Sequence, residues 1–121
     1  MNIILAEIDD RMADDFSISI GFNNIVLHAR TVGDVMHHLL HNRIEFIITS
    51  FNLELLKDLD DGLGMLLNEN INGLQLWVIR DDIKSILPHI NGSGFKLPQQ
   101  VIARKQLGQM LQQAKIIENF S

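Results

Sequence analysis

The stretch Ile44–Ser50 reads IEFIITS and is apolar or β-branched apart from Glu45 and Ser50. Its apolar residues lack the three- and four-residue spacing of a helix. It therefore predicts a strand that is covered on both faces, in the middle of a parallel sheet. In such a sheet, function usually resides where the central strands end. Ser50 and the polar segment that follows it as far as Gly62 are therefore the first place to look for a function.

The composition is that of one globular domain without cysteines. The chain has 121 residues, of which 46% are hydrophobic, and a formal charge of −5, so a single domain over residues 1–121 is expected. The absence of cysteine excludes disulfides and thiolate metal sites and fits a reducing compartment. The lysines and arginines are scattered, and no apolar run approaches the roughly 20 residues of a membrane helix. We therefore expect a cytoplasmic protein that contacts neither nucleic acid nor membrane.

Strand-like and helix-like segments alternate along the chain. Four further apolar runs predict the strands Asn2–Ala6, Ile25–Ala29, Leu74–Ile79 and Phe95–Leu97. Helical spacing of apolar residues predicts helices over residues 11–20, 31–42, 62–70, 82–90 and 99–120. Thr31 is predicted to cap the second helix, and Asp60 or Asp61 the third.

This alternation predicts a doubly wound α/β domain. We expect three layers around a five-stranded parallel sheet with the flavodoxin-like strand order 2-1-3-4-5. The carboxyl ends of strands one, three, four and five would share one edge. That edge would bring together residues 7–10, 50–52, 80–82 and 96–98.

Four segments, in this order, resemble the receiver domain of two-component response regulators over nearly the whole chain. They are NIILAEIDD, ARTVGDVMHHLLHNRIEFIITS, DGLGMLL and FKLP. In that family, a pair of acids after strand one holds Mg²⁺ and an Asp at the end of strand three accepts phosphate. A Thr or Ser ends strand four, and a Lys immediately precedes a Pro after strand five.

The resemblance implies a degenerate phosphorylation pocket. Its residues would be Glu7, Asp9, Asp10, Ser50, Arg80 and Lys96. Ile8 falls where one of the paired acids is expected, and Ser50 stands in the place of the phosphoacceptor. Arg80 replaces the Thr or Ser, and Leu97, not a lysine, precedes the proline. The loop from Ser50 to Gly62 is longer than the family's usual loop, although Leu53, Leu55, Leu56 and Leu59 suggest that part of it folds as a helical turn.

These departures predict a module without enzymatic activity, cofactor or tightly bound metal. Aspartyl phosphorylation needs a carboxylate nucleophile and a divalent cation, and a serine without a general base supplies neither. Arg80 is expected to pair with Glu7 or Asp9 and so to replace the cation. We expect a phosphorylation-independent signalling module that binds a protein partner, and that forms the N-terminal domain if the chain belongs to a longer regulator.

Receivers commonly dimerise or bind partners through their fourth helix, fifth strand and fifth helix. By resemblance, this face would include Ile83, Ile90, Val101, Leu107 and Met110. We predict a homodimer through it. The alternative is that these side chains all belong to the core.

A second class of function also remains open, namely a flavodoxin-like protein that binds a small molecule or nucleotide, or an enzyme. Phosphate-binding loops in such folds offer backbone N–H groups from small residues after strand one, whereas this chain has EIDD there. His37 and His41 are four residues apart on a predicted helix and could share a metal ion. Because no Cys or acid is obviously placed to complete the ligand set, no metal site is predicted.

Overall fold

Five strands form one parallel sheet in the structure, a computed structural model that describes residues 2–8, 24–66, 74–80 and 100–113. The strands are β1 Asn2–Ala6, β2 Ile25–Ala29, β3 Phe46–Thr49, β4 Gln75–Ile79 and β5 Gln100–Ile102. Their order is β2-β1-β3-β4-β5, and every neighbouring pair is parallel. The predicted doubly wound α/β fold with strand order 2-1-3-4-5 is therefore confirmed.

Three helices belong to the described residues. They are α1 Val32–His41, α2 Leu53–Leu66 and α3 Leu107–Gln113, and a 3₁₀ turn over Arg104–Gln106 leads into α3. None of them is long and apolar enough to cross a membrane.

The central strand β3 is buried along its whole length. Its Ile47 lies in register between Ile4 of β1 and Leu76 of β4. Because successive strand residues point to opposite faces, a strand that is buried throughout needs a layer of side chains on both sides. The prediction from IEFIITS is confirmed in this respect, although the strand itself is shorter and ends at Thr49.

Two separate apolar clusters supply these layers. The cluster on the α1 and α2 side is formed by Ile4, Ala6, Ala29, Val35, Ile44, Ile47, Phe51, Leu56, Leu59, Leu63, Leu74, Leu76 and Val78. The cluster on the α3 side is formed by Ile3, Leu5, Phe46, Ile48, Trp77, Ile79, Ile102, Leu107 and Leu111. The sheet is thus the middle of three layers.

Aromatic and glycine contacts fix the packing of these layers. On the α3 side, the rings of Phe46 and Trp77 meet edge to face with centroids 5.1 Å apart. Among the described residues, the buried indole N–H of Trp77 has no hydrogen-bond partner. On the other side, α2 approaches α1 closely at Gly62. A Cβ added at this position would lie only 3.0 Å from the sulfur of Met36.

Two predicted elements differ from the structure. The helix predicted over residues 62–70 begins earlier, at Leu53, because the side-chain oxygen of Asn52 accepts the main-chain N–H of Leu55 at 2.9 Å and caps it. The helix predicted to start at residue 99 is wrong at its start, since Gln100–Ile102 pairs with β4 as a strand. The predicted helices 11–20 and 82–90 and the predicted strand 95–97 lie outside the described residues.

Helix α1 starts with a reciprocal cap. Thr31 is the N-cap, as predicted, and its hydroxyl oxygen accepts the N–H of Asp34 at 3.1 Å. A carboxylate oxygen of Asp34 in turn accepts the main-chain N–H of Arg30 at 3.1 Å. This bond from Arg30, together with those from Thr31, holds the pKa of Asp34 below its ordinary value of 3.8. The ionised side chain also suits the positive end of the helix dipole.

We predict that the Asp34→Asn variant loses stability in a pH-dependent way. A carboxyl group whose pKa is lowered in the folded state stabilises the fold above its unfolded pKa, and this contribution is lost as the pH falls through the folded pKa. The difference in free energy of unfolding between wild type and variant should therefore be present near neutral pH and fade below 3.8. Urea unfolding at a series of pH values measures it.

Asp58→Asn is the matched control, because Asp58 is an exposed aspartate on α2. The control should show a smaller difference at neutral pH. A pH-independent difference for Asp34→Asn would show that the carboxylate charge does not contribute.

Candidate functional site

The candidate site lies at the edge of the sheet where the parallel strands end. Ala6 is in register with Ala29 on one side and with Thr49 on the other. The residues that follow the strands are therefore neighbours across this edge. They are Glu7, Arg30, Ser50, Arg80 and Ala103.

Main-chain hydrogen bonds continue the sheet by one residue into this edge. The N–H of Glu7 donates to the carbonyl of Ala29 at 2.8 Å, and the N–H of Ser50 donates to that of Ala6 at 3.3 Å. The N–H of Arg80 donates to the carbonyl of Ile102 at 3.0 Å. The structure thus brings together Glu7, Ser50 and Arg80, three of the six predicted pocket residues. Asp9, Asp10 and Lys96 lie outside the described residues.

Glu7 ends β1 in a left-handed backbone conformation, with a φ of 52°. This region costs a residue with a side chain about 1–2 kcal/mol, so such a residue persists where its surroundings hold it. Here both main-chain groups of Glu7 are bound, since its carbonyl also accepts the hydroxyl of Ser50. The chain therefore turns away from the sheet directly after Ala6.

The hydroxyl of Ser50 stabilises this turn by a hydrogen bond. Its hydrogen is donated to a carbonyl oxygen, which is not a base that could remove it. A serine nucleophile needs an adjacent general base, and the partner observed here does not act as one. The geometry therefore assigns Ser50 a structural contact between the ends of β3 and β1.

The neighbouring Thr49 has a similar role. It is fully buried, and its hydroxyl oxygen accepts the N–H of Phe51 at 3.0 Å. The N–H of Phe51 lies beyond the end of β3 and no longer pairs with a neighbouring strand, so the Thr49 hydroxyl provides its hydrogen-bond acceptor. The two hydroxyl groups at the end of β3 are thus both engaged by the main chain.

Arg80 brings a positive charge to the same turn. Its side chain is half-buried, and a guanidinium nitrogen lies 3.5 Å from the carbonyl oxygen of Phe51, a long hydrogen bond. The guanidinium therefore reaches from the end of β4 to the turn after β3. Its pairing with Glu7 or Asp9 stays a prediction.

The segment after Ser50 differs from what the sequence pattern predicted. Because α2 begins at Leu53, the connection is only residues 50–52, and the expected long loop to Gly62 is wrong. Buried Leu56, Leu59 and Leu63 follow at helical spacing and pack on the sheet. The apolar pattern in this segment is that of a core helix.

The position assigned to Lys96 also changes. That assignment depended on strand five ending near Pro98, whereas β5 is Gln100–Ile102 and residue 96 precedes it in the chain. The lysine that follows β5 is Lys105, an exposed residue of the 3₁₀ turn. Sequence reasoning missed it because Val101 and Ile102 also fit the apolar spacing of the helix predicted from residue 99.

The predicted interaction face is divided between the two sides of the sheet. Val101 lies on β5 and packs with the cluster on the α1 and α2 side, whereas Met110 packs with the cluster on the α3 side. Leu107 is 1% exposed and therefore belongs to the core, as the alternative interpretation has it. Val101 and Met110 are only partly buried, and Ile83 and Ile90 lie outside the described residues.

The described side chains at this edge provide a carboxylate, a bound hydroxyl and a guanidinium. Within residues 2–8, 24–66, 74–80 and 100–113, no group of three or more histidines and carboxylates is arranged to hold a metal ion. These residues offer anchoring contacts and a fixed charge, and no activated nucleophile.

Comparison of the chain with models of known families, with curated proteins and with solved structures found no match.

We predict that Ser50→Ala destabilises the fold by about 1 kcal/mol, the usual net value of a hydrogen bond. The variant loses the contact to the Glu7 carbonyl, and the left-handed turn loses one of its two anchors. Urea unfolding followed by tryptophan fluorescence measures the change, since Trp77 is the single tryptophan. Ser50→Thr keeps a hydroxyl and should recover most of the loss. Equal stability of wild type and Ser50→Ala would contradict the structural role.

Proposed function

We propose that this protein is a receiver-like regulatory module that works without phosphorylation and acts by binding another protein. The fold supports this proposal, since the sheet has the order 2-1-3-4-5 that the resemblance implied. The segments that carry the resemblance to response-regulator receivers include β1, α1 and β3.

The observation that carries the proposal is the bond from the Ser50 hydroxyl to the main chain of Glu7. In a receiver, the residue at the end of strand three is the carboxylate that attacks phosphorus. A serine in that place brings no negative charge, and its hydrogen is committed to the turn after β1. The end of the central strand is thereby used to stabilise the fold.

Arg80 adds an electrostatic reason. Its guanidinium stays charged at every physiological pH and lies against the turn that carries Ser50. The guanidinium would compete with a divalent cation for the carboxylates at this edge, whereas a receiver needs that cation to balance phosphoryl charge. Both the nucleophile and the electrostatics of the described edge oppose phosphorylation.

A module of this kind acts through its surface. With no phosphorylation step to alter the edge, recognition of a partner would depend on the fold as it stands. A regulated assembly would then be controlled by the amount of the protein or of its partner, since binding follows mass action.

We predict that the intact protein forms no stable adduct with acetyl phosphate in the presence of Mg²⁺. The expected result is an unchanged mass in intact-protein mass spectrometry, because the edge lacks the carboxylate at residue 50. Isothermal titration with Mg²⁺ should show no tight binding. A phosphorylatable receiver domain treated in parallel is the positive control. A stable phosphoryl adduct or tight Mg²⁺ binding would refute the proposal.

We also predict that partner binding is indifferent to the chemistry of the edge. The immobilised protein should retain the same proteins from a native lysate with and without acetyl phosphate and Mg²⁺, and Ser50→Ala should retain them too. An unrelated domain of similar size and charge gives the background. Retention that requires acetyl phosphate, or that a folded Ser50→Ala variant loses, would contradict a phosphorylation-independent role.

A further inference from the structure

The outward face of α1 carries two histidines one helical turn apart. His37 and His41 are both exposed, while the other side of the helix packs on the sheet through buried Val35 and partly buried Met36 and Leu39. The helix sequence VGDVMHHLLH contains no Lys or Arg. Its carboxylate, Asp34, is bound to the main chain of Arg30 at the helix start. Within α1 itself, therefore, no fixed positive charge would repel a cation near the two imidazoles.

The two rings already lie at a chelating distance. Their centroids are 4.5 Å apart, with the ring planes inclined by 58°. A metal ion bound to one nitrogen of each ring at about 2.0–2.1 Å requires ring centres roughly 4.5–5.5 Å apart, depending on the angle at the metal. Two histidines at positions i and i+4 of a helix are a known way to bind zinc. The observed separation of the ring centroids therefore lies within the range that chelation requires.

The adjacent His38 is engaged elsewhere. Its Nε2 lies 2.9 Å from the carbonyl oxygen of His28. A carbonyl oxygen only accepts hydrogen bonds, so this nitrogen carries a hydrogen and is not free to bind a metal. This bond ties α1 to the strand β2. The ring of His38 also lies farther from that of His37, with centroids 6.0 Å apart, than the ring of His41 does.

Two imidazoles fill only half of a tetrahedral zinc site. In the part of the chain that the structure describes, no third His, Asp or Glu joins them to complete a ligand group. The missing ligands can come from a second copy, because a two-fold interface brings the same residues of both chains to one axis. A site of four histidines would result.

The surroundings of the pair also fit contact with another copy. Among the described residues, the large apolar side chains that stay exposed are Leu40 and Ile25, at 64% and 61%. Leu40 lies beside His41 on α1, and Ile25 lies on β2, the edge strand next to α1. Leu40 adjoins the histidine pair along α1, so an interface through this helix would cover its side chain.

We propose that His37 and His41 chelate a zinc ion and that the same two residues of a second copy complete its coordination. The ion then bridges two α1 helices across a two-fold axis. This inference goes beyond the proposed function and is independent of the edge that contains Ser50. It also changes the interpretation of the histidine spacing, since the ligands missing from one chain are supplied by another.

The test is a zinc titration of the intact chain, followed by calorimetry and light scattering. One ion should bind per two chains, and the mass should rise from that of the 13.8 kDa chain to twice that value. His37→Ala and His41→Ala should each abolish both signals. Both side chains are exposed, so circular dichroism should show that both variants remain folded.

Matched controls come from the remaining histidines. His28→Ala and His89→Ala should bind zinc and dimerise as the wild type does. The proposal would be overturned by no binding, by one ion per chain with an unchanged mass, by zinc-dependent dimers of His37→Ala, or by loss of binding in His89→Ala. Dimers that form equally well with a chelator present would also overturn it, because the ion would then not be the bridge.

Discussion

Burial of the central strand on both faces is the constraint on which the rest of the structure depends. Phe46–Thr49 has neighbours on both edges and side chains packed above and below it, so water does not reach its backbone. Every N–H and C=O along it must then bond within the sheet. Parallel neighbours satisfy this requirement, and they in turn need crossover helices that cover the two faces. The two apolar clusters are the direct result.

The same constraint concentrates polar groups where the strands end. At that edge the ladder stops, and main-chain donors and acceptors need new partners. Thr49 and Ser50 supply them through their hydroxyls, one to the N–H of Phe51 and one to the carbonyl of Glu7. Arg80 reaches the carbonyl of Phe51 from the next strand. These polar side chains therefore form hydrogen bonds that stabilise the strand ends. This is the physical basis for proposing a binding role instead of a catalytic one.

The outer helix α1 shows the opposite situation. Packing fixes its inner side, and the cap formed by Thr31 and Asp34 fixes its start. Its outward side chains at His37 and His41 are therefore not needed for packing or capping. His37 and His41 are held at a defined separation by a rigid helix, which favours ligand binding because little order is lost. The outward face of this helix is therefore a better candidate for a functional surface than the sheet edge.

Local signals explain where sequence reasoning succeeded. Apolar spacing and a capping threonine lie within a few residues of each other, so α1 and its N-cap were predictable, as were β1, β2 and β4. Competing local signals explain the errors. Asn52 and Asp60 are both good capping residues, and the leucines between them fit a helix that starts at either one. Val101 and Ile102 suit a helix or a short strand, and pairing with β4 decided between them.

The sequence by itself determined the class of fold, the order of the strands and the residues that end β1, β2 and β4. It also showed that a serine, not an aspartate, follows the central strand. Only the tertiary structure decided what those residues do, because Ser50 and Glu7 are 43 positions apart and meet through the register of β1 and β3. Residue spacing and composition do not reveal which atom accepts the hydrogen bond of a given hydroxyl. That depends on where two parallel strands stop relative to each other, which is fixed by packing across the whole sheet.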